Sequence, residues 1–496
     1  MIIKLKGYKI RSIYFSFYFV LLINTNFLYK PPDSLWTKTY GGSENDRCHS
    51  IHQTTDIGYI MAGYTESFGE GKEDVYLIKT DSAGDTIWSR TFGGDKEDFG
   101  LSVQQIKDGG YIISGATQSL ETGSYDVYLI KTDIIGDTTW TKTYGGDNYD
   151  CGYSVQQTSD GGYIIAGWTG SYGSGLEDVY LIKTDSAGDT IWSRTFGGDR
   201  YDYGYSVKCT SDGGYIIAGQ TQSFGEGGFD VYLIKTDSIG DTLWTRTYGG
   251  SNFEAGDVVQ KTNDGGYIIV GNTYSFGAGD SDVYLIKTDS IGDSLWARTY
   301  GGNNYDCGYS VQQTSDGGYI VVGTTKSYGS GSEDVYLIKT DSVGNTIWSR
   351  TFGGIESDNG SDVKQTNDGG YIIVGNTYSF GQGKNDVYLI KIGSEVDILE
   401  DYTEEIFYIS QSEPNPFNNT TRIIYELPYK CHVYIAVYNS IGGRIRTIFN
   451  KFQNRGTHII TWDGRDDSGD KIQSGLYFLR IEAGNYRGIR KLIFVK

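Results

Sequence analysis

Residues 178–192 read Asp178-Val-Tyr-Leu-Ile-Lys-Thr-Asp-Ser-Ala-Gly-Asp-Thr-Ile-Trp192. An apolar run, a turn rich in Asp and Gly, and a second run ending in Trp describe an antiparallel hairpin. Its opening segment, Asp-Val-Tyr-Leu-Ile-Lys, starts at Asp74, Asp126, Asp178, Asp230, Asp282, Asp334 and Asp386. The Trp recurs as Trp36, Trp88, Trp140, Trp192, Trp244, Trp296 and Trp348, an unbroken 52-residue period. A repeat near 50 residues with several strand-like runs per unit is the pattern of a β-propeller blade.

The rest of one unit completes the blade. Tyr153–Thr158 and Tyr163–Thr169 are strands joined by Ser159-Asp-Gly-Gly162, a hairpin turn whose glycines supply positive φ. The run from Asp178 is apolar on both faces, which predicts a strand sandwiched between neighbouring sheets. Thr190–Phe196 is the fourth strand. The array opens with a lone fourth strand, Leu35–Tyr40, and ends with a lone third strand, Asp386–Lys391. The expected fold is therefore all-β: a seven-bladed propeller over residues 34–394, closed by pairing of those two strands. The Trp residues are expected to be packing residues, one per blade.

The hairpin resembles quinoprotein-type propeller repeats of bacterial proteins, where Asp, Gly and Trp punctuate the same stretch. The resemblance implies the fold and brings no cofactor with it. The Asp-to-Gly spacing is one residue shorter than in that motif.

Composition narrows the function. A net charge of −20 excludes the basic face that nucleic-acid binders need, and disfavours anionic lipid. Four basic residues precede an apolar run from Ile13 to Leu22, so residues 1–33 read as a signal peptide and linker. No transmembrane span is expected after its removal. The five cysteines are scattered and read as isolated thiols.

Candidate sites come from the loops after the second and fourth strands, which share one face. A carboxylate follows each Gly-Gly by four residues: Asp46, Asp98, Asp150, Asp202, Glu254, Asp306 and Asp358. Two readings stand for these acids. They ring a channel mouth and hold Ca²⁺ or a cationic ligand, or each accepts backbone amides in its own turn. No other cofactor is expected. The positions where the units differ point to a ligand surface comprising Trp168, Tyr64, Tyr274, Tyr378, Gln220 and Lys326. No catalytic residues are assigned. His49 and His52 stand three apart on a strand, so alternation places them on opposite faces, and no nucleophile triad or phosphate loop occurs.

From residue 407 the repeat gives way to short alternating strands, predicting an Ig-like β-sandwich over 407–496 after a linker at 395–406. Pro414-Asn-Pro-Phe417, Trp462-Asp-Gly464, Ser474-Gly-Leu-Tyr-Phe478 and the final Arg490–Lys496 strand carry a resemblance. They are similar to the C-terminal sorting domain of bacterial type IX secretion and to the Ig-like module of the flagellar hook-capping protein. The resemblance implies export through that machinery and display outside the cell or on the outer membrane. Asp463, Asp466, Asp467 and Asp470 form either a Ca²⁺ cluster or a solvated turn. The expected protein is a monomeric, exported binding or adhesion module for an extracellular glycan or protein. A secreted carbohydrate-active enzyme and a structural surface-layer component are the alternatives.

Overall fold

A computed structural model describes residues 31–119, 124–395, 407–427, 430–484 and 486–496. The predicted signal peptide and most of the 395–406 linker lie outside the described residues. The chain divides into two units, Met1–Val396 and Asp397–Lys496.

The first unit is built of propeller-like repeats: seven four-stranded antiparallel sheets. Sheet 3 runs Asp150–Gln157, Tyr163–Thr169, Asp178–Thr184 and Thr190–Phe196 in spatial order. The other sheets repeat this at the 52-residue period. Sheet 7 takes its fourth strand from the start of the array, since Ser34–Tyr40 pairs antiparallel with Asp386–Ile392. Each apolar cluster joins two consecutive sheets, as where Ile164 and Leu181 of sheet 3 meet Val207 and Ile217 of sheet 4. A further cluster packs Ile51 and Met61 of sheet 1 on Ile372 and Leu389 of sheet 7.

The third strands are sandwiched as their two apolar faces predict; in sheet 3 every residue from Asp178 to Thr184 is buried. The buried lysine has a partner outside its strand. Lys183 Nζ lies 2.9 Å from a carboxylate oxygen of Asp160 in the first hairpin turn and donates to the Thr184 carbonyl. The same pair recurs in every sheet, from Lys79–Asp56 to Lys391–Asp368. Against the cost of its partial burial, hydrogen bonds from Thr158, the Lys183 ammonium and the Gly162 amide hold the Asp160 carboxyl down at about 2.

The Trp ladder bolts sheets together. Trp140, on the outer strand of sheet 2, meets Tyr163 of sheet 3 edge to face at 5.9 Å. It also lies against Gly188, whose φ of 83° suits glycine and whose missing side chain leaves room for the indole. The Tyr144 hydroxyl donates to the Gly188 carbonyl at 2.6 Å. These rings are mostly half-buried at the rim between sheets, and Trp348 is fully buried.

The first strands line the middle of the array. Each carries a bulge after its third residue, between Gly152 and Ser154 in sheet 3. There the neighbouring strands are joined by side chains. The amides of Val103, Val155, Val207 and Val259 donate to the hydroxyls of Ser50, Ser102, Ser154 and Ser206 in the preceding sheet. Ile51 donates to Asp362 in the same way.

The second unit holds a three-stranded and a four-stranded sheet. Trp462, Tyr425, Phe494 and Leu479 fill the core between them. Of the acidic cluster, Asp466 accepts the Ser468 and Asp470 amides of its own turn, and Asp463 pairs with Arg446 at 2.7 Å. These contacts are those of a turn.

Candidate binding channel

The seven acids do not ring an open mouth. Asp46, Asp98, Asp150, Asp202, Glu254, Asp306 and Asp358 have no exposed surface at all. Each accepts the amide of the second glycine before it, at 2.8 Å from Gly198 to Asp202. In six sheets it also accepts a serine hydroxyl from the loop after the second strand, such as Ser223 at 2.6 Å, while Glu254 takes the Ser275 amide. Every acid therefore ties two loops of its own sheet together. This corrects the exposed-ring expectation: the acids are buried and one oxygen of each is held by donors of the turn, while Oδ1 of Asp98, Asp150, Asp306 and Asp358 makes no hydrogen bond within the protein. No cluster of three metal-binding side chains occurs among the described residues.

The concave feature is a channel of about 1210 Å³ lined by the first strands of all seven sheets. The bulge turns an extra residue of each strand toward it: His49, Leu101, Tyr153, Tyr205, Asp257, Tyr309 and Ser361. His49 and His52 consequently both line the channel, which corrects the expectation of opposite faces. Strict alternation fails because the extra residue at the bulge resets the period of two. Burial holds His49 down to about 4, and it stacks on Tyr64 at 5.7 Å.

Asp257 is the most perturbed acid of the channel, pushed up to about 7 by burial alone. Its Oδ2 makes no hydrogen bond within the protein. Its charge is felt by Tyr153, Tyr205 and Tyr309 and by the Cys307 thiol, all held above their usual ranges first by burial.

The loop-face candidates divide. Trp168 is half-buried and meets Tyr203 edge to face at 5.6 Å. From Tyr203 the aromatic contacts continue to Phe229 at 6.0 Å, to Phe253 at 5.4 Å and to Tyr274 at 5.9 Å. Tyr274 and Tyr378 are each 42% exposed, and the Tyr378 hydroxyl accepts from Arg47 at 3.3 Å. Tyr64 packs between His49 and Phe99. Lys326 lies over the Tyr305 ring and pairs with Glu333 at 3.0 Å, at the channel wall. Gln220 is 7% exposed and so offers little surface to a ligand. Tyr203, Phe229 and Phe253 escaped the sequence reading. Their signal was present as aromatic departures from the repeat, at positions that only the fold assembles.

A profile of the FlgD Ig-like domain matches residues 418–486. Regulatory protein FlaEY of Caulobacter vibrioides is 27% identical over 176 residues, 30% of this chain and 18% of its own length. The chain thus spans less than a fifth of that relative. Among solved structures, the Neurospora crassa Pan2 WD40 domain is similar at 11% identity and a TM-score of 0.45, over 74% of this chain and 97% of its own. The β-propeller domain of the Trilobed protease from Pyrococcus furiosus is similar at 9% and 0.37, over 75% and 100%. Polysaccharide lyase Uly1 is similar at 12% and 0.45, over 71% and 91%. The first unit is an all-β array of propeller-like repeats, and the second carries an Ig-like domain.

Proposed function

We propose that the repeats form one closed seven-bladed propeller, exported and displayed at the cell surface, which binds an extracellular glycan across its aromatic loop face. The observation that carries this reading is the run of rings from Trp168 through Tyr203, Phe229 and Phe253 to Tyr274. It crosses sheets 3 to 5 beside a polar channel. Flat apolar faces with polar rims suit sugar rings, whose C–H faces stack while their hydroxyls bond outward. The pairing of Ser34–Tyr40 with Asp386–Ile392 and the packing of sheet 1 on sheet 7 support closure. The sorting-domain resemblance of the C-terminal unit supports export by type IX machinery. A glycan array probed with the full chain, followed by titration of the best ligand, tests the binding. Trp168→Ala is expected to weaken it at least tenfold, whereas undiminished binding would sink the proposal.

A second reading, a carbohydrate-active enzyme, is favoured by Asp257. A channel carboxyl that titrates near 7 is suited to general acid–base work at neutral pH. Turnover of an array-selected polysaccharide that disappears in Asp257→Asn would establish this alternative.

A further inference from the structure

Four residues past the residue that precedes each bulge, a glycine in six sheets and Cys48 in sheet 1, the inner strands carry His52, Gln104, Gln156, Lys208, Gln260, Gln312 and Lys364. In three of the four sheets where glutamine stands, it works as a bolt to the next sheet. The Oε1 atoms of Gln104, Gln156 and Gln312 accept the amides of Gln157, Cys209 and Gln365 in the next sheet, at 2.8, 2.7 and 2.6 Å. In sheets 1, 4 and 7 this residue is replaced by a basic one. An ammonium group has no acceptor, so Lys208 and Lys364 cannot make the bolt and instead bring charge into the channel they line.

We propose that this deep part of the channel, where His52, Lys208 and Lys364 converge, binds an oxyanion (carboxylate, sulfate or phosphate). The three belong to sheets 1, 4 and 7, yet share one cavity. Lys208 makes no hydrogen bond or ion pair among the described residues. The charges that act on it are Lys364, Asp362 and the Cys209 thiol. Asp362 is already engaged: it pairs with Lys364 and accepts the Ser310 hydroxyl and the Ile51 amide. Two ammonium groups therefore face one committed carboxylate in a chain whose overall charge is −20. Burial, then Lys364, holds Lys208 down to about 8, and burial, then Lys364, lowers His52, with Asp362 and the Gln53 backbone opposing and Lys208 adding to the fall. An anion between them relieves both costs and gains charge-assisted bonds. Along the inner strand of sheet 4, Lys208 lies roughly 16 Å from Tyr203 of the aromatic rim. An acidic sugar chain stacked on the rim and a free inorganic anion are thus the two sources of one chemistry.

The test uses the full chain, melted in sodium sulfate and in sodium chloride at equal ionic strength, and titrated with trigalacturonate and with neutral maltotriose. Wild type is expected to melt several degrees higher in sulfate. Lys208→Gln and Lys364→Gln each restore the residue used elsewhere in the repeat, so both should fold. Lys208→Gln should melt above wild type in chloride and lose the sulfate increment, with at least a tenfold weaker affinity, whereas Lys208→Arg should keep it. Trigalacturonate binding tighter than sulfate assigns a glycan-borne carboxylate, and sulfate alone assigns an inorganic ion. The proposal is overturned if neither anion acts beyond chloride, or if both glutamine variants retain the effect. Trp168→Ala should leave the sulfate response intact, so failure of rim binding and failure of this site are separable.

Discussion

Asp257→Asn should make the repeat unit more stable at pH 8 and leave it unchanged at pH 4. A carboxyl whose pKa is higher in the folded chain than in the unfolded one keeps its proton preferentially in the fold. The unfolded value is about 3.9, and in the channel burial raises it to about 7. Between those limits the folded chain binds more protons, so this group's contribution to stability falls as pH rises and levels off above the folded value. Three units correspond to a ceiling of about 4 kcal/mol. Asp257 is only half-buried against the channel, and solvent screening reduces the effect to about 1–2 kcal/mol. Asparagine mimics the protonated carboxyl and removes this dependence. For a unit of this size the gain corresponds to a melting temperature about 2 °C higher at pH 8. Asp74, Asp178 and Asp230, each raised to about 6, contribute a slope of the same sign. They do so in both proteins and cancel in the comparison. The assay is thermal melting of wild type and variant across pH 4 to 8. A difference between the two that does not change with pH would refute the reasoning.

Removal of residues 34–40 should lower the melting temperature by more than 10 °C. It deletes Trp36 and Tyr40, which pack on the sheet 1–sheet 7 cluster, at about 2–3 kcal/mol each, and leaves the buried strand Asp386–Ile392 as an open edge. A melting curve superimposable on wild type would contradict closure by this strand. Asp202→Ala should cost about 3–5 kcal/mol, because the Gly198 amide and the Thr221 and Ser223 hydroxyls lose their shared acceptor. Urea denaturation measures it, and a neutral result would reopen an exposed role for these acids. Lys183→Met should be tolerated better than Asp160→Ala, since methionine fills the buried space while the lone lysine stays buried without its carboxylate. Comparing the two urea midpoints checks the order, and the reverse order would show that the pair is not what holds the hairpin turn.

The aromatic departures Phe229 and Phe253 show where the sequence falls short. Each lies in a loop, and nothing in its own unit marks it as a link in the run of rings that begins at Trp168 in a different sheet. The seven loop acids were legible as a set, but their burial was not. It arises because the loop after the fourth strand folds beneath a serine from the loop after the second. Turn chemistry read locally offered both an exposed and a capping role, and only the packing of two loops chose between them.

What the sequence determined by itself is the local and periodic part: the repeat length, the limits of the second and fourth strands within a unit, the buried third strand, and the pairing implied by an array that begins and ends partway through a repeat. These follow from side-chain alternation and from turn residues that act within a few positions of themselves. The first strand starts three residues earlier than its pattern suggests, at Asp150 in sheet 3. The tertiary structure alone decided which side chains meet at the centre. A bulge in each inner strand resets the alternation, turning His49 and Asp257 toward the channel and leaving His52 there as well. Convergence of residues from sheets 1, 4 and 7, more than 150 residues apart, is a property of how the sheets pack around the channel and has no trace in any local pattern.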